Sequence, residues 1–149
     1  MNIAFTKKFD DVKSTMGDAI ERGTELKENR GLYKLELTSI TAGETKKEST
    51  PYIKLAFKVV ESSGEGAIPA GATCVRMLYS DRFNYDLKEY IRFASSLLNT
   101  PVSKLTKDIT DELTSASNPA AGKFVLCEVV ADPKNEKYTK VRWSAAPTN

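Results

Sequence analysis

A chain of 149 residues, 40% hydrophobic and 28% charged, is long enough to bury one core. It has no apolar run near the roughly 20 residues that span a bilayer, and a net charge of +2 is too small to attract polyanions through a global field. Having no histidine and only two distant cysteines, Cys74 and Cys127, it is excluded from histidine-based triads and most zinc sites.

Residues 1–30 form an arm or short helix in this reading, KFDDVKSTMGDAIERG being interrupted by Gly17 and Gly23. Acids stand where a signal peptide has its apolar region, so a cytoplasmic protein is expected, with no membrane partner. From Gly31 the pattern sharpens. LYKLELTSI (32–40) alternates, with Tyr33, Leu35 and Leu37 inward and Lys34, Glu36 and Thr38 outward. The loop TAGETKKESTP leads into YIKLAFKVVE (52–61). There Ile53, Leu55, Phe57 and Val59 face a core, while Tyr52, Lys54, Ala56 and Lys58 face water. After the loop SSGEGAIPAGA, a third strand TCVRMLYS (73–80) sets Val75, Met77 and Tyr79 opposite an outward Arg76.

The period then changes. In NYDLKEYIRFASSLLNT, Leu87, Tyr90, Ile91, Ala94, Leu97 and Leu98 follow helical spacing, with Asn84 as N-cap and Asp86 at the positive end of the dipole. Thr100 and Pro101 open a second short helix carrying Val102, Leu105, Ile109 and Leu113. GKFVLCEVVA (122–131) and KYTKVRWS (137–144) are strands joined by the turn DPKNE. Cys127 shares a face with Val125 and Val129, and both cysteines read as buried free thiols.

Three strands, a helical connection and a hairpin predict a mainly β protein. The element order is that of a five-stranded Greek-key barrel of the oligonucleotide/oligosaccharide-binding (OB) type, over residues 31–146, with 147–149 as a C-terminal end. In that fold the groove lies around strands two and three and two loops. Here those loops supply Lys46 and Lys47, and Lys134 and Lys137. Single-stranded nucleic acid is held by cations tracking phosphates and rings stacking on unpaired bases. Tyr52, Lys54 and Lys58 supply both chemistries on one face, and Tyr138, Lys140 and Arg142 repeat them on strand five. Lys34 and Arg76 add cations, and Tyr79 and Arg82 extend the groove. Phe83 and Tyr85 extend it or anchor the helix. Trp143 is a further stacking candidate, although its parity with Val141 argues for core packing.

A single tyrosine–lysine pair is also what a plain soluble strand carries; its repetition on two strands points to a ligand. The basic residues also gather there: residues 31–60 hold five lysines against three glutamates.

The chain resembles the small single-stranded-DNA-binding proteins of bacteriophages over roughly residues 29–146, through GLYKLELTSI, YIKLAFKVVE, the aromatic-containing helix, GKFVLCEVV and YTKVRW. The resemblance implies a protein that coats unpaired DNA during replication or recombination. Homo-oligomers and replication or recombination proteins are further partners in that role. The ending SAAPTN is not the acidic tail with a terminal aromatic that recruits partners in bacterial housekeeping relatives, so recruitment by that route is not expected.

No enzyme and no cofactor are expected. GEGAIPAGA and AAGKF lack the phosphate-loop pattern, and the acids Asp81, Asp86 and Glu89, or Asp108, Asp111 and Glu112, have spacing that exposed helices carry for solubility. RNA as ligand, and a protein-interaction or virion module on the same barrel, remain alternatives.

Overall fold

The computed structural model describes residues 24–44, 51–79, 86–115 and 117–147. The strands are β1 (Thr24–Glu25), β2 (Gly31–Glu44), β3 (Pro51–Ser63), β4 (Thr73–Tyr79), β5 (Phe124–Asp132) and β6 (Asn135–Ala145). Helices α1 (Lys88–Leu98) and α2 (Lys107–Leu113) lie between β4 and β5. All six strands form one sheet in the order β1-β4-β3-β2-β5-β6, antiparallel except for the β1–β4 pair. No described helix is long and apolar enough to cross a membrane.

The sheet is curled into a half-barrel. β1 and β6 are its two edges, yet the segment following β1 bonds to β6: Thr139 Oγ1 donates to Lys27 O at 2.6 Å, and Arg30 Nη2 donates to Glu136 O at 2.7 Å. β2 makes the bend. Its register against β3 shifts between Lys34 and Leu35 and again between Leu37 and Ser39, and such bulges bend a strand and raise its local twist.

The inner face carries the core. Leu35, Leu37 and Ile40 of β2, Leu55, Phe57 and Val59 of β3, and Val125 and Val129 of β5 are all buried. α1 fills the interior with Tyr90, Phe93, Ala94 and Leu97, one side of an amphipathic helix. Phe93 meets Phe57 and Trp143 nearly edge-on, with ring centroids 5.8 and 4.9 Å apart. Tyr33 is buried with its hydroxyl satisfied, donating to Asn29 O at 2.6 Å and accepting from Ile68 N at 3.1 Å.

Several sequence expectations change here. There are six strands where five are expected, because Thr24–Glu25, within the expected arm, adds a short parallel edge to β4. The element expected from Pro101 to Leu113 divides into a 3-10 turn, Val102–Lys104, and α2. The cap of α2 is Thr106, whose Oγ1 accepts from Ile109 N at 3.3 Å. α1 starts without a side-chain cap at Leu87 and ends on Asn99 in the left-handed region, whereas the expected cap Asn84 lies outside the described residues. The DPKNE turn is tighter than expected. Strand pairing reaches Asp132 and Asn135, whose side-chain oxygens accept from Lys134 N and Lys137 N at 2.9 and 3.1 Å.

Candidate functional site

Residues paired across neighbouring strands point to the same side of a sheet, so the register defines the outer face. On β3 it consists of Tyr52, Lys54, Ala56 and Lys58, as the alternation predicts. Tyr52 lies opposite Tyr79 on β4 and Gly43 on β2. The two tyrosine rings are 6.4 Å apart and tilted by 58°.

From Lys58 the face continues across the sheet. One row runs Lys58, Glu36, Phe124; the next runs Glu61, Lys34, Leu126, Ser144; the third runs Ser63, Leu32, Glu128, Arg142. Val130 and Lys140 follow, and alternation with Lys140 assigns the exposed Tyr138 to the same side, beside the irregularity that precedes the turn. Lys34 Nζ sits 5.5 Å from the centroid of the Phe124 ring, a cation–π distance. Leu32, Phe124 and Tyr138 are 55%, 43% and 64% exposed. A shallow depression of about 600 Å³ opens among Leu32, Lys34, Glu61, Leu126, Glu128 and Arg142.

The two aromatic and cationic rows of the sequence reading therefore lie on one face but do not adjoin. Tyr52 is at the Gly43 end of β2, while Tyr138 lies beyond the Gly31–Val129 pair at the other end. β2 and β5 separate them, three strand spacings or roughly 14 Å across the sheet. Phe124, Leu32 and Leu126, none of them among the expected site residues, occupy the ground between. The available signal was β5 itself, apolar on both faces, with Phe124, Leu126 and Val130 opposite Val125, Cys127 and Val129. Lys137 is exposed beside the β5–β6 turn. Lys46, Lys47 and Arg82 lie outside the described residues, as do Phe83 and Tyr85.

Arg76 and Trp143 leave the set. Arg76 shares its side of β4 with Cys74 and Leu78, opposite Leu55 of β3, and is only 4% exposed. Alternation could not orient TCVRMLY, whose apolar residues fall on both sides. What makes the burial tolerable is a ring of carboxylates. Glu89 grips the guanidinium through Nε at 2.9 Å and Nη2 at 2.8 Å, Glu25 approaches to 3.7 Å and Asp86 to 3.9 Å. Trp143 is half-buried, its ring against Phe57 and Phe93 and its Nε1 donating to Glu89 Oε2 at 3.1 Å. Glu89 is thus committed to an arginine, whereas Asp86 adds only its charge at 3.9 Å and accepts a hydrogen bond from Tyr79 N. Burial pushes the Glu25 carboxyl up, against the pull of Arg76.

At the Tyr52 corner a second concavity, about 320 Å³, opens at the end of the half-barrel. Tyr52, Tyr79 and Tyr90 line it with Ile53, Leu78 and Asp86. The Tyr90 hydroxyl donates to Thr110 O at 3.1 Å, which fixes that ring.

Both cysteines are buried free thiols, as the sequence reading has them. Burial, then the Glu25 carboxylate, pushes Cys74 to about 12. Burial, then Asp111, pushes Tyr90 to about 12, and Cys127 is also raised, chiefly by burial. A raised folded-state pKa stabilises fully below the unfolded value and is lost as pH rises through the folded one. Stability should therefore fall between about pH 9 and pH 12, and Cys74→Ala should flatten that fall. Urea midpoints at pH 8, 10 and 11 measure it; a slope unchanged by Cys74→Ala rejects the assignment.

Compared with known proteins, the chain matches no protein-family model and no curated protein.

Proposed function

We propose that this protein is a non-catalytic binder of single-stranded nucleic acid, DNA in the first place, on an OB-type curled sheet. Its role would be coating unpaired strands during replication or recombination, as the phage resemblance implies. The observation that carries the reading is the composition of the outer face. Five cations, Lys34, Lys54, Lys58, Lys140 and Arg142, stand among Tyr52, Phe124 and Tyr138, against the carboxylates Glu36, Glu61 and Glu128 and, beside Tyr138, Glu136. Rings within reach of phosphate-seeking cations are what a sequence-tolerant single-strand surface requires. A soluble strand surface has no need to hold Phe124 and Tyr138 this far in water, where burying them would be favourable.

Anisotropy titration of a labelled dT oligonucleotide tests it. Affinity should fall steeply and linearly on logarithmic axes as salt is added. Phe124→Ala and Tyr138→Ala should each weaken binding by about 1–3 kcal/mol, roughly 5- to 160-fold, without shifting the thermal midpoint. No binding by the native protein at low salt rejects the proposal. Exposed Leu32 beside Leu126 favours a second reading, a protein-docking face on the same sheet; Leu32→Ser would then abolish partner binding while oligonucleotide binding stays absent.

A further inference from the structure

We propose that the tyrosine-lined concavity at the end of the half-barrel seats one unstacked base bearing an exocyclic amino group, with Asp86 as the acceptor of that group. The inference rests on the single-strand reading, because Tyr52 and Tyr79 belong both to this concavity and to the outer face.

Size and shape argue first. At about 320 Å³ the site is at the low end of the roughly 300–1,000 Å³ usual for small-molecule sites, room for one ring system rather than a peptide. Its walls are flat. Tyr52 and Tyr79 open at 58° to each other, Tyr90 is anchored through its hydroxyl, and Ile53 and Leu78 contribute apolar surface. An aromatic ring gains contact against such walls that a phosphate would not.

Polarity argues second. Asp86 is 5% exposed and is the acidic residue of the lining. Its Oδ2 accepts from Tyr79 N at 2.9 Å. Among the described contacts its Oδ1 has only Arg76 Nη2 at 3.9 Å, beyond hydrogen-bond length, and so keeps acceptor capacity. A carboxylate oxygen there accepts from the amino group of cytosine, adenine or guanine. Uracil and thymine offer an N–H flanked by two carbonyl oxygens, which a carboxylate repels.

The position of Tyr52 supplies an independent handle. Its ring lies over Gly43, where a Cβ would come within 2.7 Å of the Tyr52 hydroxyl oxygen and 2.8 Å of Cζ. Gly43→Ala therefore displaces this wall of the site while leaving Asp86 and the core in place.

The test uses the full chain and free nucleosides, read by NMR of the tyrosine ring resonances. Cytidine should shift the Tyr52, Tyr79 and Tyr90 rings and bind at least about fivefold tighter than uridine. Asp86→Asn keeps an oxygen for Tyr79 N but turns an amide N–H₂ to the ligand, so the preference should invert towards uridine. Gly43→Ala should weaken both nucleosides, and Lys104→Ala, on the exposed helical connection, neither. Equal binding of cytidine and uridine, or no ring shifts with either, overturns the inference, even where Asp86→Asn fails to fold. The two readings fail separately. Nucleoside binding without oligonucleotide binding removes the single-strand role and keeps the base site, whereas oligonucleotide binding untouched by Gly43→Ala, with silent tyrosine rings, does the reverse.

Discussion

Arg76→Ala should cost about 3–5 kcal/mol of stability, because it leaves Glu25, Asp86 and Glu89 facing one another with no cation between them. For a chain of this size that lowers the thermal midpoint by something on the order of 10 °C. Most of the loss is the cost of carboxylates left buried and unpaired, not the worth of the ion pairs themselves. Arg76→Lys should recover only part, since an ammonium cannot hold both Glu89 oxygens as the guanidinium does through Nε and Nη2. The loss should persist in 1 M salt, where the Debye length is about 3 Å and exposed pairs are screened. Urea denaturation measures the energy. The emission of Trp143, the one tryptophan, shows whether Glu89 has let go of its indole. A loss under about 1 kcal/mol would mean that the network contributes little.

The largest effect on binding should come from removing Lys34, Lys58 and Arg142 together. They stand in three successive rows of the outer face, so a strand crossing it would pass all three. On single strands each lost phosphate contact lowers the salt slope by about 0.7, so the triple alanine variant should lose roughly two units of slope. Affinity for a dT oligonucleotide at low salt should fall by about 100-fold or more. Exposed Lys104 and Lys107, on the helical connection, serve as the control: their alanine variants should leave affinity within about twofold, as is usual for charges off the contact surface. If both sets reduce affinity alike, binding follows net charge and the face has no special part in it.

Much of this molecule is legible in its sequence. YIKLAFKVVE alternates cleanly because one side must be dry and the other wet, and the structure keeps Leu55, Phe57 and Val59 inside and Lys58 outside. The helix over Lys88–Leu98 and the hairpin into KYTKVRW were readable for the same reason, a period that matches a half-buried element. Arg76 was not. β4 carries apolar residues on both sides, so nothing local orients it, and a charge at an inward position becomes tolerable only when carboxylates from β1, from Asp86 just before α1 and from α1 itself converge on it. The same ambiguity hid Phe124 and Leu126 on β5.

By itself, the sequence determined the mainly β class, the order of the long strands, the inward set of β2 and β3, the free state of both thiols and the wet face of β3. The tertiary structure alone decided that Tyr52 and Tyr138 occupy opposite corners of the outer face, that Arg76 and Trp143 turn inward, and that residues 24–30 bridge the two edges of the sheet. The physical reason is range. Alternation is a property of neighbouring residues, set by water on one side of a strand, whereas corner, bridge and buried ion network depend on register and curl, which bring together groups far apart along the chain.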